Sequence, residues 1–372
     1  MNSRTIALPQ WIKCLALATL ACLPNPASGA VIIVPNPSFS IQAAINTASP
    51  GDTILVGPGI YNEQLILTAK QLFLMSQNGA ASTTINARGN GTVIAMSGNG
   101  SRIEGFTVTG GREAFGAGIN ISGGSLSSII RNNIFENNIQ TAGGFGAAIG
   151  GNSSSPLIDE NIFRGNSSDF QFLSGVVSFV NVSSPLISNN LFYDNQSRAI
   201  NLSLPSEARP LVINNTIDGN TVGIYVDRRV NSVNYVIRNN IITNNGTGLT
   251  ATFGTDADNP TFANNLVFGN TTNYANFAVQ TGLNGNISAD PLFSNVVAND
   301  FHLTSLSPAI DAGSAVAAPD HDFSGSSRPL DGNADGLVRF DIGAFERVPE
   351  PSITLMTLAG LGVLWQRSCA RR

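Results

Sequence analysis

The chain has 372 residues, a formal net charge of −5, and charged residues at only 12% of its positions. Its two lysines are Lys13 and Lys70, and this acidic balance excludes a nucleic-acid partner. Its three cysteines, Cys14, Cys22 and Cys369, all lie near the termini, which excludes a disulfide framework and a thiolate metal site.

Residues 1–30 are typical of a secretory signal peptide. Arg4 and Lys13 are followed by an apolar run over 14–23, and a stretch of small residues ends at Ala30. We expect signal peptidase to cleave after Ala30. A lipoprotein signal with Cys22 as the lipidation site is an alternative, but it fits less well because Thr19 stands three residues before that cysteine.

A short amphipathic helix is predicted at the start of the exported chain. Ile41, Ala44 and Ile45 recur at helical spacing, Ser40 is a candidate N-cap, and the Pro50-Gly51 pair terminates the pattern. The whole stretch, IQAAINTASPGDTILVGPGIYNE, resembles the opening of the pectin-lyase-like, right-handed parallel β-helix proteins. The resemblance implies a helix that covers the first open end of a solenoid, where apolar core and unpaired backbone would otherwise be exposed.

Six variants of one phrase then follow at intervals of 25 to 29 residues. They read IIRNNIFENN, LIDENIFRGN, LISNNLFYDN, LVINNTIDGN, VIRNNIITNN and TFANNLVFGN, and together they span 129–270. Their apolar pieces are too short for helices and suit strands, while Asn and Gly suit sharp corners. A fixed period of this size predicts a solenoid with two or three strands per turn.

Stacked turns place equivalent asparagines above one another, where their amides can form ladders at a buried corner. We predict two such columns. The first contains Asn133, Asn161, Asn190, Asn215, Asn240 and Asn265. The second contains Asn138, Asn166, Asn195, Asn220, Asn245 and Asn270.

The predicted fold is therefore all-β: a right-handed parallel β-helix of the pectin-lyase-like type, with about ten turns over 31–280 and a short N-terminal capping helix. Leucine-rich repeats would show a regular leucine framework, and propeller blades a Trp-Asp signature; the chain has neither. No helical pattern of sufficient length separates the strands, so βαβ units are excluded as well.

Candidate catalytic residues are few. Enzymes of similar fold cleave acidic polysaccharides with clustered carboxylates, and two carboxylates at a suitable distance can hydrolyse a glycosidic bond. Asp194 and Asp218 are the best candidates for such a pair, since they belong to neighbouring turns. The alternative interpretation, which we prefer, makes them ordinary surface and corner residues.

Residues 281–348 contain motifs that resemble the closing module of bacterial surface β-helix proteins, sometimes called a choice-of-anchor domain. The segments are DPLF at 290–293, DFHL at 300–303, SPAIDAG at 307–313 and DIGAFE at 341–346. The resemblance implies that an anchoring or sorting element follows directly.

One calcium site is a candidate within that module. Asp331, Asn333 and Asp335, followed by Gly336, have the alternating oxygen ligands and the tight-turn glycine of a calcium loop, with Asp341 as a further ligand. The twelfth position of such a loop needs a glutamate, and Ile342 stands there. An Asp/Gly turn without bound Ca²⁺ is the alternative.

Residues 349–372 consist of Pro349-Glu350-Pro351, an apolar stretch and a basic end. The apolar stretch, Ile353–Trp365, is short for a stable membrane span. This layout resembles the PEP-CTERM sorting signal of Gram-negative bacteria, which the protease exosortase recognises and removes. The resemblance implies transient membrane insertion and then a cell-surface or extracellular location; an ordinary membrane anchor is the alternative.

These features together predict an exported β-helix protein that is structural or binds glycan in an exopolysaccharide matrix. The alternative is a polysaccharide lyase or glycoside hydrolase acting on an acidic polysaccharide. The expected partners are signal peptidase and exosortase during processing, and extracellular polysaccharide afterwards.

Overall fold

The computed structural model describes residues 29–349, except for 69, 98–99, 124–127, 170–173, 206, 229–233, 253–254 and 256–258. The predicted signal sequence before Gly29, and Glu350, Pro351 and the apolar tail, lie outside the described residues. Within the described part, no helix is long and apolar enough to cross a membrane.

Among the described residues, three long parallel sheets contain ten, nine and nine strands. The first contains Val31–Val34, Thr53–Val56, Phe73–Ser76, Arg102–Glu104, Ile129–Arg131, Leu157–Asp159, Leu186–Ser188, Leu211–Ile213, Val236–Arg238 and Thr261–Ala263. The second contains Gly59–Tyr61, Thr83–Asn86, Thr107–Thr109, Ile134–Glu136, Ile162–Arg164, Leu191–Tyr193, Thr216–Asp218, Ile241–Thr243 and Leu266–Phe268. The third contains Leu65–Thr68, Ile94–Ser97, Ile119–Ser122, Ile149–Asn152, Gly175–Val180, Arg198–Leu202, Val222–Val226, Thr247–Ala251 and Thr272–Ala275.

Successive turns contribute one strand to each sheet in order, and every pairing between turns in these three sheets is parallel. The chain therefore winds as a parallel β-helix, and the fold prediction is confirmed. Nine turns are complete rather than about ten, because the first sheet alone contains the additional entry strand Val31–Val34. A fourth parallel sheet of three short strands, Arg112–Phe115, Ile139–Phe145 and Ser167–Ser168, lies beside the middle turns.

The core is a column of apolar side chains enclosed by the three sheets. Each three-residue strand of the repeats directs its middle residue inwards, so equivalent residues stack along the axis. In the second sheet Phe135, Phe163 and Phe192 are fully buried, and their nearly parallel rings lie 5.0 and 4.5 Å apart between centroids. Such stacking adds to the burial energy of each ring.

The predicted helix is Ile41–Thr47, and it covers the open end of the first turns with Ile41, Ala44 and Ile45. The Ser40 hydroxyl accepts from the amide of Ala43, as predicted for an N-cap. The next turn stabilises both helix ends: Glu63 accepts from the first amides, and the Lys70 ammonium donates to the carbonyls of Ile45, Asn46 and Ala48.

We call residues 281–348 the closing module, and they follow the last strand of the solenoid, Thr272–Ala275. Pairing with the last turn continues to Ile287, which bridges Leu266. The module then contains an antiparallel hairpin, Phe293–Asn295 with Asp300–Leu303, joined through the 3-10 turn Val296–Ala298. Two apolar clusters fix it to the outer face of the second sheet: Leu303 and Ile342 pack with Ile241, and Phe301 packs with Tyr193.

Candidate functional site

The structure brings the predicted asparagines together in two buried columns. In each column, the Oδ1 atom of one asparagine accepts from both the backbone amide and the side-chain Nδ2 of the asparagine one turn earlier. The Nδ2–Oδ1 distances are 2.9–3.1 Å in the first column and 2.8–3.1 Å in the second. The last partners were not predicted: Asn286 follows the last complete turn, and Asn273 lies only three residues after Asn270, in the strand Thr272–Ala275.

The residue before each asparagine of the first column occupies the left-handed backbone region. These residues are Asn132, Glu160, Asn189, Asn214, Asn239 and Asn264, with φ between 51° and 56°. Asparagine tolerates this region better than most residues, which explains the Asn-Asn doublets in the repeats. We call this outer column the corner column.

The corner column holds the closing module, a role that the sequence analysis missed. Asn189 donates to the carbonyl of His321, Asn214 to those of Asp341 and Gly343, Asn239 to that of Ser314, and Asn264 to that of Ala312, at 2.8–3.1 Å. The doublets gave no separate signal of this role, because the left-handed backbone already accounts for the outer asparagine.

A cleft of about 270 Å³ lies where the hairpin of the closing module meets the second sheet. We call it the Arg164 cleft. It is lined by Glu136, Asn137, Arg164, Gly165, Tyr193, Asp194 and Asn299. Glu136, Arg164 and Tyr193 are register partners on three successive strands, so their side chains form one outward row. The cleft thus combines a guanidinium, two carboxylates, two amides and an aromatic ring.

Arg164 is fixed as a cation within this row. Its Nε and Nη2 atoms contact Glu136 Oε2 at 2.8 and 2.6 Å, and Nη1 contacts the Tyr193 hydroxyl at 3.4 Å. Burial alone would lower the pKa of Arg164, but the hydrogen bonds with Tyr193 and Glu136 outweigh it and raise that pKa. Arg164 is therefore suited to hold a ligand and unsuited to remove a proton.

Of the two predicted catalytic candidates, only Asp194 lines the cleft. Asp218 belongs to the next turn and is buried, with Oδ1 accepting from the Thr243 hydroxyl at 2.8 Å and from the Asn244 amide at 2.6 Å. Burial raises the pKa of Asp218, the charge of Asp194 adds to the increase, and the two hydrogen bonds oppose it. The charges of the two side chains interact, but Asp218 is not among the residues that line the cleft.

The predicted calcium loop folds on its own backbone. Asp331 accepts from the amides of Asp335 and Gly336, and Asn333 Oδ1 also accepts from the Asp335 amide. Asp341 is buried beside the loop, with its carboxylate oxygens accepting from the amides of Asp311 and Arg347. Burial raises the pKa of Asp341 to about 6. The carboxylate oxygens of Asp331 and Asp341 and the amide oxygen of Asn333 therefore all accept hydrogen bonds from backbone amides.

The sequence was compared with known proteins. The family model for right-handed beta helix regions matches residues 152–290. No curated protein matches the chain.

Solved structures with a similar fold include pectate lyase Pel9A, at 15% identity and a TM-score of 0.41, covering 86% of this chain and 97% of that one. A pectin methylesterase in complex with a hexasaccharide aligns at 13% identity and a TM-score of 0.37, covering 74% and 98%. The alginate lyase AlyGC aligns at 14% identity and a TM-score of 0.24, covering 86% and 60%. At these values the similarity carries no argument about activity.

Proposed function

We propose that the protein is an exported β-helix that binds glycan through the Arg164 cleft and acts as a structural component of an extracellular polysaccharide matrix. The observation that carries the proposal is the fixed guanidinium of Arg164 beside Tyr193. A planar donor group, an aromatic ring and several amide and carboxylate acceptors are the groups that bind sugar hydroxyls.

The charge of the cleft favours a neutral glycan. Arg164 is the one cation among the lining residues, and it faces the carboxylates of Glu136 and Asp194. An acidic polysaccharide would add like charge to a site that already has an excess of carboxylate.

The same geometry argues against the alternative, a lyase or hydrolase. A lyase needs an unprotonated base, and Arg164 cannot serve as one, because its hydrogen bonds raise its pKa and keep it charged. A hydrolase needs two carboxylates that flank one bond. Of the two carboxylates in the cleft, Glu136 is bound to the Arg164 guanidinium through Oε2, and Asp218, the predicted partner of Asp194, is turned into its own buried contacts.

The location of the protein is proposed from sequence alone. We propose a signal peptide over 1–30, a β-helix over 31–280, the closing module over 281–348 and a sorting signal over 349–372. Signal peptidase and exosortase would process the two ends, and the apolar tail would insert only transiently into the membrane. Calcium in the 331–336 loop is a further proposal.

A binding experiment tests the function. Affinity electrophoresis through neutral and acidic polysaccharides would compare the wild type with Arg164→Met and with Arg112→Met. Arg112 is a matched control, because it also pairs with one carboxylate, Asp169 at 3.0 Å, and does not line the cleft. We expect retardation by a neutral polysaccharide, at least about tenfold weaker in Arg164→Met than in the control.

Product formation would be measured in the same samples, through new reducing ends and the ultraviolet absorbance of unsaturated sugars. Turnover by the wild type would establish the enzymatic alternative. Equal retardation of the wild type and Arg164→Met would remove the cleft as the binding site.

A further inference from the structure

His321 of the closing module reaches two carboxylates of the solenoid. Its Nε2 atom lies 3.0 Å from Asp159 Oδ2 and 3.3 Å from Glu160 Oε1. Asp159 is 2% exposed and Glu160 is 5% exposed, whereas His321 is half-buried. One nitrogen and two oxygens, each from a different residue, thus converge within 4.8 Å of one another.

Each converging atom is oriented by a contact on the far side of its own group. The His321 Nδ1 atom contacts Asp320 at 2.7 Å, which directs Nε2 towards the carboxylates. Asp159 Oδ1 accepts from the Ser188 hydroxyl and from the Asn189 amide, and Oδ2 faces the histidine. Outer contacts of this kind hold the ligands of metal sites in position.

Arg131 orients the third ligand, Glu160, in the same way. Its Nη2 atom lies 2.8 Å from Glu160 Oε2, which leaves Oε1 directed at His321. Arg131 supplies one positive charge against the three carboxylates of Asp159, Glu160 and Asp320. Arg131 is shared with Glu104, which lies 3.7 Å from its Nε atom, and Arg328 also attracts Asp159. A divalent cation would place its charge directly between the two ligand carboxylates.

The distances also suit a metal ion. Two ligand atoms about 2.1 Å from one ion lie about 3.0–3.4 Å apart at angles between about 90° and 109°. The two separations from Nε2 are 3.0 and 3.3 Å. Calcium and magnesium prefer ligand sets made of oxygen alone, whereas an imidazole nitrogen with carboxylates suits Zn²⁺.

We propose that Asp159 Oδ2, Glu160 Oε1 and His321 Nε2 form a divalent metal site, of the type that Zn²⁺ takes, with water in the remaining position. The ion joins a solenoid corner to the closing module, so it stabilises the docked module. This site is independent of the glycan-binding cleft and of the 331–336 loop.

The experiment uses untagged, full-length protein that has been treated with a chelator and then dialysed against Zn²⁺. The variants are His321→Gln and Glu160→Gln, and the matched control is His302→Gln. His302 belongs to the same module and also contacts a carboxylate, Asp300, at 2.6 Å. Metal analysis gives the stoichiometry, and isothermal titration gives the affinity.

We expect one Zn²⁺ per chain in the wild type and in His302→Gln, with at least tenfold weaker binding in the two site variants. Zn²⁺ should raise the melting temperature of the wild type and the control only. Added Co²⁺ should produce a visible absorption band in the wild type that His321→Gln lacks, and this readout does not depend on stability.

Two results would overturn the proposal: no Zn²⁺ binding by the folded wild type, or the same Zn²⁺ affinity in the wild type and His321→Gln. If His321→Gln fails to fold, as judged by circular dichroism, the comparison of Glu160→Gln with the control decides. Displacement of the bound Zn²⁺ by an equal concentration of Ca²⁺ would also contradict the assigned ligand class.

Discussion

The inner asparagines stabilise the solenoid by satisfying backbone groups that each corner would otherwise leave buried and unpaired. Asn215 is fully buried; its Nδ2 donates to the carbonyls of Ile187 and Ile213 and to Asn240, and its Oδ1 accepts from Asn190. Five groups therefore depend on one amide, since Oδ1 accepts from both the backbone amide and the Nδ2 of Asn190. Because each unpaired buried group costs about 1–3 kcal/mol, a ladder residue contributes more than an ordinary polar contact.

We expect Asn215→Leu to destabilise the protein more than Asp218→Ala. The first substitution leaves several buried partners unpaired and should cost at least about 2 kcal/mol, whereas the second removes a carboxylate whose burial is itself unfavourable. Urea unfolding of both variants measures the two changes. Equal and small losses would mean that the ladder contributes little.

Asp218 also predicts a pH dependence. Its folded pKa is raised by burial, so its contribution to stability is present at low pH and is lost as the pH rises through that pKa. The free energy of unfolding of the wild type, measured relative to Asp218→Asn, should therefore fall as the pH rises from about 3.9 to neutrality. Unfolding of both proteins in urea across this range gives the difference, and a difference that is independent of pH would contradict the assignment.

At this scale the sequence could predict the inner asparagines but not the outer ones. The repeat period aligns Asn190 with Asn215 regardless of the structure of the rest of the chain, because stacking depends on neighbouring turns alone. Asn189 and Asn239 hold the closing module only because His321 lies beside the first and Ser314 beside the second. These two contacts join residues that are 75 and 132 positions apart in the sequence, and contacts of that kind leave no periodic signal.

At the scale of elements, the closing module docks through close backbone approach. The Gly343 amide donates to the Asn239 carbonyl at 2.7 Å, and the Ala344 amide donates to the Thr216 hydroxyl at 3.1 Å. Beneath the docked segment, Arg328 and Glu346 form a pair at 3.3 Å whose side chains are completely buried. Such a contact is specific because neither charge has access to water, so separation of the pair is costly.

We expect Gly343→Ala to detach the module. Gly343 has a φ of 102°, and an added Cβ would lie 2.6 Å from Ile241 Cδ1 and 3.2 Å from Thr216 Oγ1. Gly325→Ala is the matched control, since Gly325 has a φ of 79° and no atom within 4 Å of an added Cβ. Limited proteolysis should cut the 281–348 region of the first variant several times faster than that of the control, and equal rates would show that the approach can relax.

At the scale of the whole molecule, composition and period were enough to predict a capped parallel solenoid. The turn count was overestimated because the entry strand Val31–Val34 belongs to no complete turn. The Arg164 cleft could not be predicted, because its wall includes Asn299 from the hairpin of the closing module. Only Asp194 among the residues selected from sequence belongs to it.

The sorting signal that we propose for residues 349–372 makes a prediction for the mature protein. Replacement of Pro349-Glu350-Pro351 by three alanines should leave export intact and keep the uncleaved chain in the cytoplasmic membrane, since the apolar stretch is too short to be a stable span by itself. The wild-type extracellular chain should end near Pro349–Ser352 and lack Trp365. Mass spectrometry of the released fraction measures this end, and an intact Arg372 would favour an ordinary membrane anchor.

The corner column sets a limit on how this protein can grow. The closing module contacts five consecutive corners, from Glu160 to Asn264, and these corners are spaced by the distance between neighbouring strands, about 4.8 Å. A repeat duplicated before Ile129 would lengthen the solenoid and leave all five contacts in place. A repeat inserted between Asn189 and Asn239 would shift the corners on its two sides apart. Some of the corner amides would then no longer reach the carbonyls of the closing module that they bind. The module can therefore dock only on a fixed number of turns, so length variation should be confined to the N-terminal part of the solenoid.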